Sequence, residues 1–435
     1  MNYQAIVTPI TNIRIHPNAD RLNLGTASGF QVVISKDIKE NTLGIFFPSD
    51  GQLSIEMCKE NNLHRHVELN IDPKAKAGFF DDNRRIRAQK LRGEISEGFW
   101  VELDVLKWTG VSIDKLKSGN LIDELNSKPI CNKYYTPATM RMMGQGKGKN
   151  SKRGFRPESF PYFKEHWHTN KLRMMIGHIP EGAILSISEK VHGTSARTGR
   201  MIQRKKLNWS KRLWNNTIGK LGLQFNDETW RYVSGSRKVV LDPKKTEELG
   251  FYSGKKFRSI IHQKISNTGL HKGETIFYEI VGYDDTGGLI MKAHTLTDKK
   301  MIQHYGNRMP YTYGCQSEEC KVLVYRITQT SPDGHTIELS LNQTVNRCNQ
   351  LGLEYVPRLK KSFIYDGDRK KLFKLCEELS QGDSTLDNSH IREGVVVRVE
   401  DIGADTHYKY KSYWFADLEG IQKNSDDYVD IEEIS

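Results

Sequence analysis

The sequence predicts an α+β protein, in which a small N-terminal β-barrel is followed by a larger domain of mixed strands and helices. Three observations predict it. Short β-rich runs between turn residues fill residues 1–110, a glycine- and lysine-rich stretch interrupts residues 111–165, and strand-like and helix-like segments mix over 166–420.

In the first region, Val32-Val33-Ile34 and Gly44-Ile45-Phe46-Phe47 are β-rich and bounded by Gly, Pro, Asn and Asp. Arg84-Ile86-Ala88 and Phe99-Val101-Leu103 alternate apolar with polar positions, as further strands would. Closely spaced strands of this kind close readily into a barrel. The next region carries Gly144, Gly146, Gly148 and Gly154 among Lys147, Lys149, Lys152 and Arg153, with Pro157 and Pro161 after them. Such a stretch cannot hold a core, so a solvated linker is expected.

Beyond it, Ala183 to Ile187 is a strand candidate that leads into Glu189-Lys190. Ile276 to Val281 and Lys321 to Ile327 are further strands. Gly394 to Val399 holds three successive valines, as a strand buried on both faces does. Residues 200–231 are basic, carry Trp209, Trp214 and Trp230, and are expected to form a helical insertion. Residues 421–435 are an acidic tail.

Composition limits the functional classes. The chain of 435 residues is long enough for two or three domains. Sixty-five basic against 53 acidic residues give a net charge of +12, which suits a polyanionic partner. No run of about 18 apolar residues could span a bilayer. The opening MNYQAIVTPITNIRIH has no charged region followed by an apolar one, so a cytoplasmic protein without a membrane partner is expected. Six scattered cysteines include one C-x4-C pair, Cys315 and Cys320, with no second pair to complete a zinc site. Reduced thiols and no structural metal are expected.

Chemistry is carried by an ordered series of short segments. The central one is Glu189-Lys190-Val191-His192-Gly193-Thr194-Ser195. Downstream follow Ser234-Gly235-Ser236-Arg237, Phe277-Tyr278-Glu279-Ile280-Val281-Gly282 and Val324-Tyr325-Arg326-Ile327. Glu393-Gly394-Val395-Val396-Val397-Arg398 and Lys409-Tyr410-Lys411 complete the series. Lys409 and Lys411, at alternate positions of one strand, face the same way.

This series resembles the ordered motifs of the covalent nucleotidyltransferases: RNA ligases, DNA ligases and mRNA capping enzymes. K-x-H-G-T is similar to the RNA ligases, whereas the other two groups usually have K-x-D-G. The resemblance covers about 168–415. It implies an ATP-dependent RNA ligase with a nucleotidyltransferase domain, in which Lys190 takes AMP from ATP, passes it to an RNA 5′-phosphate, and a 3′-hydroxyl then displaces it. Such a lysine must lose its proton to act as a nucleophile. The same resemblance assigns nucleotide binding to Glu189, His192, Gly193, Thr194, Arg237, Glu279 and Tyr325. It gives Glu393 a divalent metal, Mg2+ or Mn2+, and gives Lys409 and Lys411 the α-phosphate. Arg326 stands where the family usually has an acid, and Ser195 where many relatives have Asn.

The N-terminal segments Ile15-His16-Pro17-Asn18-Ala19-Asp20-Arg21-Leu22 and Lys90 to Gly98 resemble the OB-fold tRNA-binding modules of some synthetases. An N-terminal OB-fold domain before a K-x-H-G-T domain resembles the RNA ligases that seal nicked duplexes. This implies RNA, as a nicked duplex or an RNA/DNA hybrid, as partner of a monomer engaged in RNA repair. The alternatives are a non-catalytic RNA-binding protein on the same scaffold and a capping-type guanylyltransferase. The intact Lys190, Glu279, Glu393, Lys409 and Lys411 speak against the first, and His192 against the second.

Overall fold

The structure is a computed structural model and describes residues 3–137, 139–141, 159–167, 169–204, 208–217, 228–241, 252, 254–296, 298–400 and 407–418. The basic Gly/Lys stretch from Gly144 to Gly154 and the acidic tail lie outside the described residues. The described residues fall into two compact units: one runs to Pro137, with Lys171–His178 and a segment from Ala416, and the other takes the rest up to Phe415.

The N-terminal unit is built on an antiparallel sheet ordered Phe30–Ser35, Leu22–Ala27, Ala5–Ile15, Leu43–Pro48, Gly98–Glu102. The long strand Ala5–Ile15 pairs through Ile6 to Pro9 with one neighbour and through Ile10 to Ile15 with the other, with a register shift between Thr11 and Arg14. Such a bulge bends a strand so that it can serve both sides of a curved sheet. The edges then approach. Glu97 N–H donates to Gln31 O at 2.8 Å, and Val33 N–H to Ser96 Oγ at 3.1 Å, giving a nearly closed, barrel-like sheet.

Strand alternation explains its two cores. Ile6, Ile10, Val32, Ile34, Phe46 and Trp100 pack together, while Ala5, Val7, Ile45 and Phe47 pack with Leu53, Met57, Leu106, Ile122, Ile130 and Cys131. Residues 111–137, expected within a linker, therefore belong to this unit. Leu121–Ile122 pairs with the first strand, and Cys131–Lys133 joins Gly51–Leu53 and Arg85–Ile86 in a small sheet. The two segments singled out in the sequence meet. His16 Nε2 lies 3.0 Å from Leu91 O, and Asn18 Nδ2 donates to Arg92 O at 2.9 Å.

The second unit holds two large antiparallel sheets. One contains His407–Lys411, Gly394–Val399, Ile184–Lys190 and Arg358–Ile364 in that order. The other runs Glu228–Ser236, Thr194–Arg204, Glu274–Gly282, Cys320–Thr330, Thr336–Glu338, with Glu354–Tyr355 parallel to the fourth. Only Val191-His192-Gly193 separates the strand ending at Lys190 from the strand opening at Thr194. One short loop thus joins the two sheets. Of residues 200–231, expected as a helical insertion, Trp209–Thr217 are helical, while 200–204 and 228–231 belong to strands. Thr194–Arg204 and Glu228–Ser236 form a ladder from Ala196↔Ser236 to Arg204↔Glu228, and Trp230 belongs to it. The basic residues and tryptophans suggested a helix, but β-branched and aromatic residues at paired positions favour the ladder. The helix Trp209–Thr217 is what remains of that expectation.

Candidate active site

Alternate residues of one strand point to one face, and the nucleophile strand presents Ser186, Ser188 and Lys190 this way. Across the sheet they form three rows: Ser186–Arg398–His407, Ser188–Val396–Lys409 and Lys190–Gly394–Lys411. The second sheet faces them with Ser195, Glu279, Tyr325 and Arg326. Residues of both sheets, with Arg237, line one cleft.

Lys190 Nζ is 2.6 Å from Glu393 Oε1, and Lys411 Nζ is 3.2 Å from the same oxygen. His192 Nδ1 lies 3.6 Å from Oε2. Gly394 makes this convergence possible. A Cβ there would lie 2.2 Å from Tyr410 O, and its φ of +155° suits glycine. Burial pushes the Glu393 carboxyl up, but the ammonium groups of Lys190 and Lys411 outweigh it and hold the group well below the usual carboxylate range.

Glu279 accepts a hydrogen bond from Ser195 Oγ at 2.5 Å. Tyr325 falls at a register shift, because Phe277 pairs with Arg326 but Tyr278 with Val324. The bulge leaves Tyr325 unpaired in the ladder and re-aims its ring, which lines the cleft. Burial, then the charge of Glu279, raises its phenol.

Several of the expected nucleotide-binding residues also make contacts within the fold. The Glu189 carboxylate accepts from Ser384 Oγ at 2.5 Å, Thr385 N at 3.0 Å and Thr385 Oγ1 at 2.7 Å, with Arg392 Nε at 3.5 Å. Its side chain holds the loop 383–392, and the residue also lines the cleft. His192 N–H donates to Tyr313 OH at 2.7 Å, and its ring packs edge-on against Tyr311 and Phe415 at 4.7 and 4.9 Å. Gly193 is required by close approach, since a Cβ would meet Ile280 O at 2.7 Å. Thr194 Oγ1 accepts from the buried Arg258.

Arg326, read against an acid in the family, has its counter-charge on the neighbouring strand. Glu338 Oε1 lies 3.2 Å from Arg326 Nε, 3.2 Å from Arg398 Nη2 and 3.3 Å from His407 Nε2. Glu400 pairs with Arg398 at 3.3 Å. Burial, then the two arginines, holds His407 well below its ordinary value, so it is neutral. No local spacing announced Glu338, Arg258, Tyr311 or Tyr313, whose partners are distant in sequence.

The family model described as RNA ligase matches residues 184–411. That span is more than half of the chain and contains the whole series from Lys190 to Lys411. The chain belongs to the RNA ligase family. No curated protein sequence matches this RNA ligase family member. Among solved structures it is similar to a glutamate-to-alanine variant of Naegleria gruberi RNA ligase with ATP and Mn, at TM-score 0.59 and 15% identity, over 95% of this chain and 98% of that one. A lysine-to-alanine variant with ATP and Mn gives 0.57 and 16%, over 96% and 98%. The Naegleria gruberi RNA ligase with PPi gives 0.56 and 15%, over 95% and 97%. At such identities the likeness is one of fold. Among the described residues of this RNA ligase family chain, no helix is long and apolar enough to cross a membrane.

Proposed function

We propose that the protein is an ATP-dependent RNA ligase that joins a 3′-hydroxyl to a 5′-phosphate through AMP carried on Lys190. The observation that carries this reading is Lys190 in a two-sheet cleft, 2.6 Å from the buried Glu393 and across from Lys411. The Naegleria gruberi structures with ATP, Mn and PPi support the choice of nucleotide.

In the first step Lys190 Nζ, having lost its proton, attacks the α-phosphorus of ATP. An N–P bond forms, the bond from the α-phosphorus to the bridging oxygen breaks, and diphosphate leaves. Lys409 and Lys411 would meet the charge growing on the α-phosphate. Tyr325 would cover the base, Glu279 the ribose hydroxyls, and Arg237 the ribose or the RNA terminal phosphate. In the second step a 5′-phosphate oxygen of RNA attacks the same phosphorus and Lys190 departs. In the third, the 3′-hydroxyl attacks the 5′-phosphate and AMP leaves. All three are in-line displacements at phosphorus, where positioning and charge do most of the work.

Glu393 is the residue fit to hold a divalent metal, Mg2+ or Mn2+. Among the described residues no group of three or more His, Cys, Asp or Glu could cage an ion, and a magnesium-like ion needs none, since it takes one or two carboxylates with waters and phosphate oxygens. When bound it would supply positive charge against the phosphates.

We read the N-terminal unit as an OB-fold module and the substrate as a nick in an RNA-containing duplex. The nearly closed sheet supports this, together with His16 and Asn18 holding the Leu91–Arg92 backbone. The test is incubation with α-labelled ATP or GTP and a divalent metal, in wild type and Lys190→Ala. Label from ATP on the wild type alone is expected. No label on a protein that intact mass shows to be free of AMP would overturn the reading.

A further inference from the structure

We infer that the buried Arg197 is a positioning residue for Arg237, fixing the backbone from which Arg237 reaches the cleft and so the binding of the group that Arg237 holds. This rests on the RNA-ligase reading of the cleft.

Arg197 lies two residues beyond Ser195 on one strand, so the two share a face. Opposite it in the ladders stand Gly235 on one side and Phe277 on the other, and Phe277 pairs in turn with Arg326. Residues 163–167 cover this row. The Arg197 guanidinium lies over the Phe163 ring at 4.7 Å, and that of Arg326 over the Trp167 ring at 4.8 Å. Arg197 is left 1% exposed.

What the buried cation holds is the backbone at Arg237. Its Nη1 donates to Ser236 O, and to Arg237 O at 2.9 Å. His166 N–H donates to the same Arg237 carbonyl at 3.2 Å. Burial pulls the Arg197 guanidinium down to about 10, which leaves it charged at neutral pH. Its bonds to the carbonyls are therefore charge-assisted. Nε and Nη2 have no hydrogen-bond partner among the described residues.

The guanidinium passes beside Gly235, where a Cβ would lie 3.0 Å from Arg197 Cζ and 2.7 Å from Val239 O. The glycine of Ser234-Gly235-Ser236-Arg237 thus makes room for the cation. Beyond it the chain turns. Ser236 N–H donates to Val239 O at 2.8 Å, and Val239 N–H to Ser236 Oγ at 3.2 Å. Arg237 sits in that turn and lines the cleft. Two donors on its carbonyl fix where its side chain starts. Packing does not account for the cation, because an apolar side chain would fill the space beside Phe163 without the cost of burying a charge.

The experiment compares Arg197→Met, Arg197→Lys, Arg237→Ala and the double variant Arg197→Met/Arg237→Ala with wild type. Formation of lysyl-AMP at varied ATP, nick sealing at varied RNA and thermal unfolding are measured on each. Arg237→Ala shows which substrate Arg237 serves. Arg197→Met should raise KM for that same substrate and lower its kcat/KM by about 10²-fold, as misplacement of a binding group does. Arg197→Lys, which restores a charged donor, should recover part of the loss. The double variant should be no worse than Arg237→Ala, since Arg197 then has nothing left to position. Should Arg197→Met fail to fold, Gly235→Ala crowds the same contact from the other side and should give the same defect.

Wild-type KM for both substrates in Arg197→Met, whatever its stability, would overturn the inference. So would wild-type kinetics in Arg237→Ala, or losses that add in the double variant of an enzyme that labels normally. A wild-type protein that forms no lysyl-AMP would sink the ligase reading, and this inference with it.

Discussion

The ammonium of Lys190 lies 2.6 Å from a Glu393 carboxylate whose side chain is completely buried. A protonated lysine cannot attack, so this pairing must give way before Lys190 can act as a nucleophile. Because Glu393 is held below the usual carboxylate range, it stays charged throughout the neutral range. Glu393→Gln keeps the shape and removes the charge. Formation of lysyl-AMP from labelled ATP should then fall by about 10²-fold or more. A rate within a few fold of wild type would remove Glu393 from the chemistry.

Glu189, one residue away, answers to a different demand. Its carboxylate accepts from Ser384 and Thr385 on the far side of the strand from Lys190. Glu189→Ala leaves those buried donors unmatched, and the expected loss is about 1–3 kcal/mol of stability. The folded fraction should still take AMP onto Lys190. Thermal unfolding alongside labelling checks this, and a loss of labelling without a loss of stability would return Glu189 to the nucleotide.

The contrast marks what the sequence can say. That Lys190, Glu279, Tyr325 and Lys409 line one cleft was legible because each lies in a short ordered segment, and strand alternation alone turns Lys409 and Lys411 to one face. The hold of Glu189 on a distant loop was not legible, because the series gives the position of a residue but not its direction, and its neighbours at 384 and 385 are 195 and 196 residues away. Glu338 was invisible for the same reason. The strand ends of 200–231 were missed for a different one, since Trp230 and Tyr232 in a basic stretch do not reveal whether a helix or a ladder will take them. The limit of the N-terminal unit was obscured because residues 111–137 form one three-residue 3-10 turn and two- and three-residue strands, whose burial no periodicity displays.

Glu338 provides a test of the buried charge group. It lies within 3.3 Å of Arg326, Arg398 and His407, and all three are nearly inaccessible. Removing one partner of a buried pair leaves the other charge without compensation, at a cost of about 3–5 kcal/mol. Glu338→Ala should therefore lower the denaturation midpoint sharply and disturb the cleft wall that Arg326 and Arg398 supply. A Glu338→Ala protein as stable as wild type would show the arginines to be compensated elsewhere.

Ile130 tests the extent of the N-terminal unit. It is fully buried in the core with Val7, Phe47 and Leu106. Ile130→Ala should cost about 2–5 kcal/mol, as truncation of a core isoleucine does. A change at a solvated linker position would cost nearly nothing. Calorimetry of the whole chain should show the effect on one transition only if the two units unfold separately.

Asp387 gives a dependence on pH. It accepts from Thr312, from Gly314 N–H at 2.9 Å, and from Ser389 N–H and Oγ at 2.9 and 2.8 Å. Thr312 and Gly314 flank Tyr313, whose hydroxyl accepts from His192 N–H beside the nucleophile. Partial burial raises the Asp387 carboxyl, but these hydrogen bonds outweigh it and hold it at about 2, below its ordinary 3.8. A carboxyl depressed by folding stabilises the fold above its unfolded value, and that stabilisation is lost as the pH falls through the folded one. The gap in urea midpoint between wild type and Asp387→Asn should thus be widest at neutral pH and narrow between 3.8 and about 2. A gap that stays constant down to about pH 3 would mean that Asp387 holds the Tyr313 loop by shape and not by charge.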